Sequence, residues 1–400
     1  MRAIAARAVR SIRPPAGHAG RVLAAGISVD ALGRGLFLAG SVVFFTRHVG
    51  LSVTQVSIGL TVAGVVGLVA TLPVGVLADR YGSRPVLIGL NLYRAVTLAG
   101  YTLVDSFGVF LLVTGLVSVA AGSTVPVLQA LAGDAVAARD RAITTGYLRA
   151  VQNAGFAVGG LLAAGVVAVD IGIVYPALVL ANAASFVVSA VMVRKLPPPR
   201  QVTRRNRRLL DALRDRPFVV VAACNGILLL YTTLLGVGVP LWILLHTDLP
   251  PVVVAGVFVT NTVLGVALQS SVCATATTLA GGARAFRRTG YALVVTCLLL
   301  IASGYTTGWT AGVLLVLSVV TLTLGEILQA AAAWGVGYAM APEHQRASYM
   351  AVIGLGSNAQ CVIGPVVITA AVTAGWWGLM LLAAGLLVTA QVAARATVPR

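Results

Sequence analysis

Gly75-Val-Leu-Ala-Asp79-Arg80-Tyr-Gly82-Ser-Arg84 is the stretch that orders the rest of the chain. It lies between two apolar runs, each close to the roughly 20 residues a helix needs to cross a bilayer. One acid, two arginines and two glycines crowd into it, in a chain that is otherwise 58% hydrophobic. A connection this short makes the flanking helices antiparallel neighbours. Gly75 and Gly82 permit close backbone approach and a tight turn. Asp79 and the arginines stand where lipid gives way to water. A charged hairpin that merely stops helices from sliding would use the same residue types.

The composition supports a membrane setting. Mean hydropathy is +0.96 and only 10% of residues are charged, which excludes an ordinary soluble domain. With about 20 apolar residues per span plus short loops, 400 residues hold around twelve helices. The net charge of +17 would suit nucleic acid, but its distribution argues against that partner. Lys195 is the only lysine, and Arg194 precedes it, so no Gly-Lys phosphate loop of the ATP-driven kind exists. Cys224, Cys273, Cys297 and Cys361 all fall within apolar runs and read as packing residues, with neither a disulfide framework nor a metal site. His18, His48, His246 and His344 fall in loops or tails without metal-ligand spacing. The Arg-rich N-terminus lacks a short cleavable apolar core, so the first span is expected to be retained.

Apolar windows predict spans near 23–46, 53–78, 85–105, 107–133, 142–169, 171–193, 217–245, 251–279, 289–307, 309–340, 346–373 and 375–394. Helices are expected, because the alternating pattern of barrel strands is absent. With the N-terminus placed in the cytoplasm, every basic residue except Arg34, Arg47, Arg94 and Arg149 falls on that side. An even number of spans with both termini cytoplasmic follows. The fold class is therefore an all-α membrane protein of twelve transmembrane helices in two pseudo-symmetric six-helix bundles. The bundles cover residues 1–193, including a cytoplasmic tail, and 217–400, divided by a basic cytoplasmic linker at 194–216. That linker carries Pro197-Pro-Pro199 and an arginine run; it suits either a tether to anionic lipid or a solvated connection that holds topology. A repeat supports the halves. One fixed offset relates Arg141 to Arg346, Asn153 to Asn358 and Gly159 to Gly364, as duplication of a six-helix unit would leave. Gly281-Gly-Ala-Arg284-Ala-Phe-Arg287-Arg288 keeps glycine and charge at the turn equivalent to Gly75–Arg84, without an aspartate.

Charges inside spans are costly, so each is a candidate for function. Asp30 and Arg34 are spaced i, i+4 in helix 1 and share a face. Arg94 lies in helix 3, Arg149 in helix 5 and Glu326 in helix 10. Asn91, Gln152, Asn153, Asn225, Asn261, Gln269, Gln329, Asn358 and Gln360 add uncharged polar groups, which should face a cavity or one another. Asp30 and Glu326 are the only carboxylates placed well inside spans, and a site whose protonation follows access is a workable proton carrier. For Asp30 the competing expectation is a permanent ion pair with Arg34, Arg94 or Arg149 that locks helices together. The arginine excess in the first half also suits an anionic substrate. Arg34, Arg94, Arg149, Asn153, Gln329 and Asn358 are the cavity and substrate candidates. No span carries a nucleophile beside a plausible base, so an enzyme is not expected.

The pattern Gly75-x-Leu77-Ala-Asp79-Arg80-x-Gly82-x-Arg84 resembles the loop between the second and third helices of the major facilitator superfamily. That resemblance implies two six-helix bundles rocking about a central site, with the loop as a cytoplasmic gate. It also implies that Asp134, at the end of helix 4, joins the loop's charges as a latch. In helix 5, Gly146, Gly155, Gly159-Gly160 and Ala163-Ala164 resemble the motif of the twelve-helix drug:proton antiporter branch. Gly160 replaces that motif's proline and the alanines replace its final glycines. Residues at this spacing also let two helices approach closely whatever the function. The resemblance implies proton-coupled efflux of a small amphipathic compound or drug by a multi-pass protein of the plasma membrane, here the bacterial inner membrane. The expected partners are substrate, protons and lipid, in a monomer with no cofactor, no metal and no nucleic acid. The alternatives are an uptake symporter or facilitator for a small, anionic metabolite, and a non-transporting sensor or assembly protein.

Overall fold

The computed structural model describes residues 18–43, 45, 49–135, 141–167, 174–196, 211–250, 253–273, 276 and 278–397. The basic tail before His18, Arg139 and most of the central linker lie outside these residues. The described chain is almost wholly helical. Its long helices are α1 (His18–Val43), α2 (Val53–Tyr81), α3 (Ser83–Ala99), α4 (Phe107–Ala135), α5 (Arg141–Val167) and α6 (Val174–Arg194). After a short turn at Asp211–Arg214 come α7 (Arg216–His246), α8 (Val253–Cys273), α9 (Leu279–Ser303), α10 (Gly308–Met340), α11 (Arg346–Thr373) and α12 (Trp376–Ala396). Among the described residues, nine helices are long and apolar enough to cross a membrane, and α8 adds the shorter apolar stretch Gly256–Gln269. Large apolar side chains such as Val96 (74% exposed) and Val366 (71% exposed) point outward, as lipid-facing surfaces require and water-facing ones rarely tolerate.

Local chemistry fixes several helix ends. Ser52 accepts from the Gln55 amide while Gln55 accepts from the Ser52 amide, a reciprocal cap that starts α2. The helix then runs through Asp79 and Arg80 to Tyr81, so the expected loop shrinks to Gly82 alone. Gly82 adopts φ +98°, a left-handed conformation that a side chain would strain. Helix α9 begins about ten residues before its predicted start. Thr278 caps it by accepting from the Gly281 amide at 3.0 Å, which places Gly281–Arg288 inside the first helical turns instead of a loop. The three arginines depress a hydropathy window but not helix formation. Helix α7 is interrupted at Leu234–Gly238 by a π turn just before Pro240, whose missing N–H is accommodated there.

The chain divides into two compact units. One holds the described residues of Arg13–Leu209 together with Pro342–Gly354, the first turns of α11. The other holds those of Leu210–Ala341 and Leu355–Arg400. In the first unit an aromatic core of Phe37, Phe45, Tyr101 and Phe110 closes the end remote from Asp79, with Phe45 and Phe110 centroids 4.8 Å apart edge-on. In the second, Phe218, Trp242, Phe286 and Leu293 are buried, and the Trp242 indole donates to Ser303 Oγ at 3.2 Å.

Each unit repeats one close crossing, between its first and fifth helices. In the first, a Cβ on Gly159 of α5 would sit 2.2 Å from the Leu32 carbonyl oxygen of α1, so only glycine allows that approach. In the second, the same addition to Gly364 of α11 would meet Thr233 Oγ1 of α7 at 2.7 Å. Arg141 and Arg346, matched by the sequence offset, are both the first residues of their helices.

Candidate functional site

The interior charges of the first unit gather around Asp30. Because α1 brings Arg34 one turn beyond Asp30, its Nη2 lies 2.9 Å from Asp30 Oδ2. From α3, Arg94 Nη1 donates to Asp30 Oδ1, also at 2.9 Å. One carboxylate is therefore shared between two guanidiniums. Arg94 is buried, and its guanidinium carbon lies 3.7 Å from the centre of the Phe186 ring of α6, a stacked cation–π contact. Arg34 is the accessible member, with 30% of its side chain exposed. The three groups leave a surplus of one positive charge. Arg149 and Asn153 lie on α5 and are half-buried.

The second unit carries its own polar seam. Glu326 of α10 is buried and accepts from Asn261 Nδ2 of α8 at 2.9 Å; the same amide group reaches Thr323 Oγ1 at 3.1 Å. One turn further along α10, Gln329 donates to Asn225 of α7. Gln360 of α11 donates to Thr233 of α7, and Asn358 lies half-buried two residues earlier. Polar groups on α7, α8, α10 and α11 thus meet in pairs, as groups shielded from water must.

The opening motif acts at the end of the first unit. Asp79, in the last turn of α2, accepts from the backbone amides of Ala347 at 2.9 Å and Ser348 at 2.8 Å, and from the Ser348 hydroxyl. These amides belong to the first turn of α11, where backbone donors lack partners within the helix. Asp79 is in effect an N-cap supplied from a distant part of the chain, and its charge complements the positive end of the α11 dipole. Gly75 permits this docking, since a Cβ there would fall 2.6 Å from Ala351 Cβ. Asp134 pairs with Arg346, the first residue of α11. Arg84 donates to the Arg194 carbonyl at the end of α6, and Arg80 stacks over Tyr81 at 5.4 Å. The glycines of α5 divide by role. Gly155 and Gly159 face the α1 backbone, Gly160 faces open space, and Gly146 lies in the second turn of the helix.

Several partners had no signal in the sequence beforehand. Ser348 and the two amides beside it carry nothing that marks them. Arg346 was visible only as the repeat partner of Arg141. Asn261 stood among many polar residues, with nothing to single it out as the ligand of Glu326.

The Major Facilitator Superfamily profile matches residues 23–365. The chain belongs to that superfamily. It is a multi-pass membrane transporter of small molecules and not an enzyme. Solved structures of the superfamily share its fold. A bacterial homologue of the iron transporter ferroportin in its outward-facing state aligns with TM-score 0.76 and 13% identity, over 95% of this chain and 98% of that one. A bacterial homologue of ferroportin in its outward-facing state with soaked iron gives 0.73 and 15%, over 95% and 98%. The human organic anion transporter MFSD10 (TETRAN) gives 0.66 and 16%, over 94% and 98%. No curated protein matches the chain in sequence.

Proposed function

We propose that this transporter moves a small amphipathic compound bearing an acidic group, coupled to protons, with Asp30 as the proton carrier and alternating access as its mechanism. The carrying observation is the sharing of Asp30 between Arg34 and Arg94. A proton on Asp30 removes the charge that holds both guanidiniums and leaves them available to an anionic substrate group. Proton and anion then bind together, which is the logic of co-transport. The neighbour described as an organic anion transporter agrees in substrate class.

A second reading, export of an amphipathic compound in exchange for protons, rests on Glu326. It accepts a bond from a neutral amide, Asn261 of α8. A cationic or polar compound can compete with a proton for such a carboxylate, and competition is the logic of exchange. Vesicles containing the purified transporter discriminate by sign, using fluorescein as the amphipathic anion and ethidium as the cation. Under co-transport, fluorescein enters with protons and Asp30→Asn abolishes their movement. Under exchange, ethidium moves against protons and Glu326→Gln abolishes it. Full coupled transport by both variants would sink both readings.

A further inference from the structure

A narrow cavity opens from Asp30 into the interior of the first unit. Its polar lining is Asp30 of α1, Asn91 of α3, Thr124 of α4 and Ser189 of α6. About 20 Å³ of it is open to the centres of water-sized spheres. A single water needs roughly 10–15 Å³ by that measure, along with two to four polar partners. The partners are suitably prepared. Asn91 Nδ2 donates to Ser189 Oγ at 3.3 Å, a long bond that loosely joins two walls of the cavity. The Thr124 hydroxyl donates to the Ala120 carbonyl, which leaves its oxygen as an acceptor. Each carboxylate oxygen of Asp30 holds one guanidinium and keeps a further lone pair.

The direction of the cavity gives it meaning. Its lining residues run along α1 from Asp30 back to Leu23, about 10 Å at the helical rise. Leu87 and Val193 line its far end. Val193 adjoins Arg194, the last residue of α6, whose carbonyl accepts from Arg84. The cavity thus leads from the shared carboxylate to the end of the bundle that carries the Asp79 motif.

We propose that Asp30 exchanges its proton through a water held in this cavity, inside the bundle and apart from the route the substrate takes. This rests on Asp30 being the proton carrier. In the step, the carboxyl O–H bond breaks as its proton passes to the water. The hydronium so formed gives a different proton to a second water, which enters from the Arg84 end when Leu23, Leu87 and Val193 part, and the carboxylate left behind is held by Arg34 and Arg94. The reverse sequence loads it. Leu23, Leu87 and Val193 are buried and close that end between events, so no continuous column of water bypasses the transport cycle. The charged groups that face Asp30 are Arg34 on its own helix and Arg94 from α3, both cations.

Gly26 provides the test. A Cβ there would lie 3.7 Å from both Ser189 Oγ and Met192 Cβ, ordinary contact distances, so Gly26→Ala fits without displacing its neighbours and takes up the water's space. Ser189→Ala keeps the space and removes a partner. Neither touches the Asp30–Arg34–Arg94 group. The purified transporter is studied in nanodiscs by pH-jump infrared spectroscopy, with the Asp30 band identified by its loss in Asp30→Asn. Both variants are expected to slow protonation of that band about tenfold, as a barrier raised by roughly 1.4 kcal/mol would. Radiolytic hydroxyl labelling is expected to mark the buried side chains of Leu23 and Leu87 in the parent and to spare them in Gly26→Ala. If no Asp30 band titrates at all, the carrier assignment itself fails. A band that titrates at the parental rate in both variants overturns the water route alone.

Discussion

Replacing Asp79 by Asn tests the gate directly. The carboxylate receives two backbone N–H groups at 2.8 and 2.9 Å and one hydroxyl, all from the first turn of α11. Asparagine keeps one acceptor oxygen but loses the charge and the second acceptor. A hydrogen bond to a charged group contributes about 1.5–3 kcal/mol, and a neutral one about 0.5–1.5 kcal/mol. Of the two backbone bonds, one weakened by about 1 kcal/mol and one lost at the low end of that range, about 1.5–2 kcal/mol, give a change of about 2–3 kcal/mol, which includes the helix-dipole contribution. The amides of Ala347 and Ser348 report this themselves, because each exchanges with solvent only when its bond to Asp79 opens. Hydrogen exchange of the segment 342–354, followed by mass spectrometry, is expected to accelerate roughly 30- to 150-fold in Asp79→Asn. Exchange within α9, which lies in the other unit, should stay unchanged. Equal protection of Ala347 and Ser348 in variant and parent would refute the capping role of Asp79, and with it the assignment of this motif as a latch.

Three further outcomes are expected. Gly159→Ala places a methyl 2.2 Å from the Leu32 carbonyl and should cost about 1–3 kcal/mol, seen as a lower melting temperature in detergent. Gly160→Ala, which meets nothing within 4 Å, should melt like the parent or slightly higher. Arg94→Met leaves Asp30 short of one buried partner and should destabilise by about 3–5 kcal/mol. The double variant Asp30→Asn, Arg94→Met should recover a large part of that loss, and strict additivity in the cycle would contradict the shared pairing. Gly82→Ala must hold φ near +98° and should cost about 1–2 kcal/mol in the same melting assay, with the turn between α2 and α3 as its origin.

What the sequence discloses depends on whether an interaction is local. The i, i+4 spacing of Asp30 and Arg34 makes their pairing legible, because a helix places them on one face. The choice between Arg94 and Arg149 as the second partner depends on how α3 and α5 are rotated in the bundle, and no spacing encodes that. Gly155 and Gly159 signal a close crossing, yet nothing near them in the chain identifies α1 as the helix crossed. Asp79 is legible as a special acid, while its partners are backbone amides, which every residue but proline supplies. The early start of α9 was hidden because Arg284, Arg287 and Arg288 lower apparent hydropathy over a segment that Thr278 caps into a helix. The π turn in α7 leaves only the proline beyond it as a trace.

Asp30 and Asp79, both in the first unit, do related chemistry under opposite solvent conditions, and that difference assigns their parts. Asp79 is half-buried at a helix end, where water can replace the amides of Ala347 and Ser348 as they separate. Breaking its bonds exchanges one set of hydrogen bonds for another, so the net cost is a small part of their gross strength. Asp30 lies among buried side chains, with Arg94 pinned by Phe186. Parting those charges without a replacement would strand them where solvation is poor, at a cost of several kcal/mol. Only a proton on Asp30, or an anionic group offered to the arginines, removes that cost. The ion pair is therefore stable between events and yields to the species whose movement we propose that it couples, whereas the Asp79 contact yields to water alone.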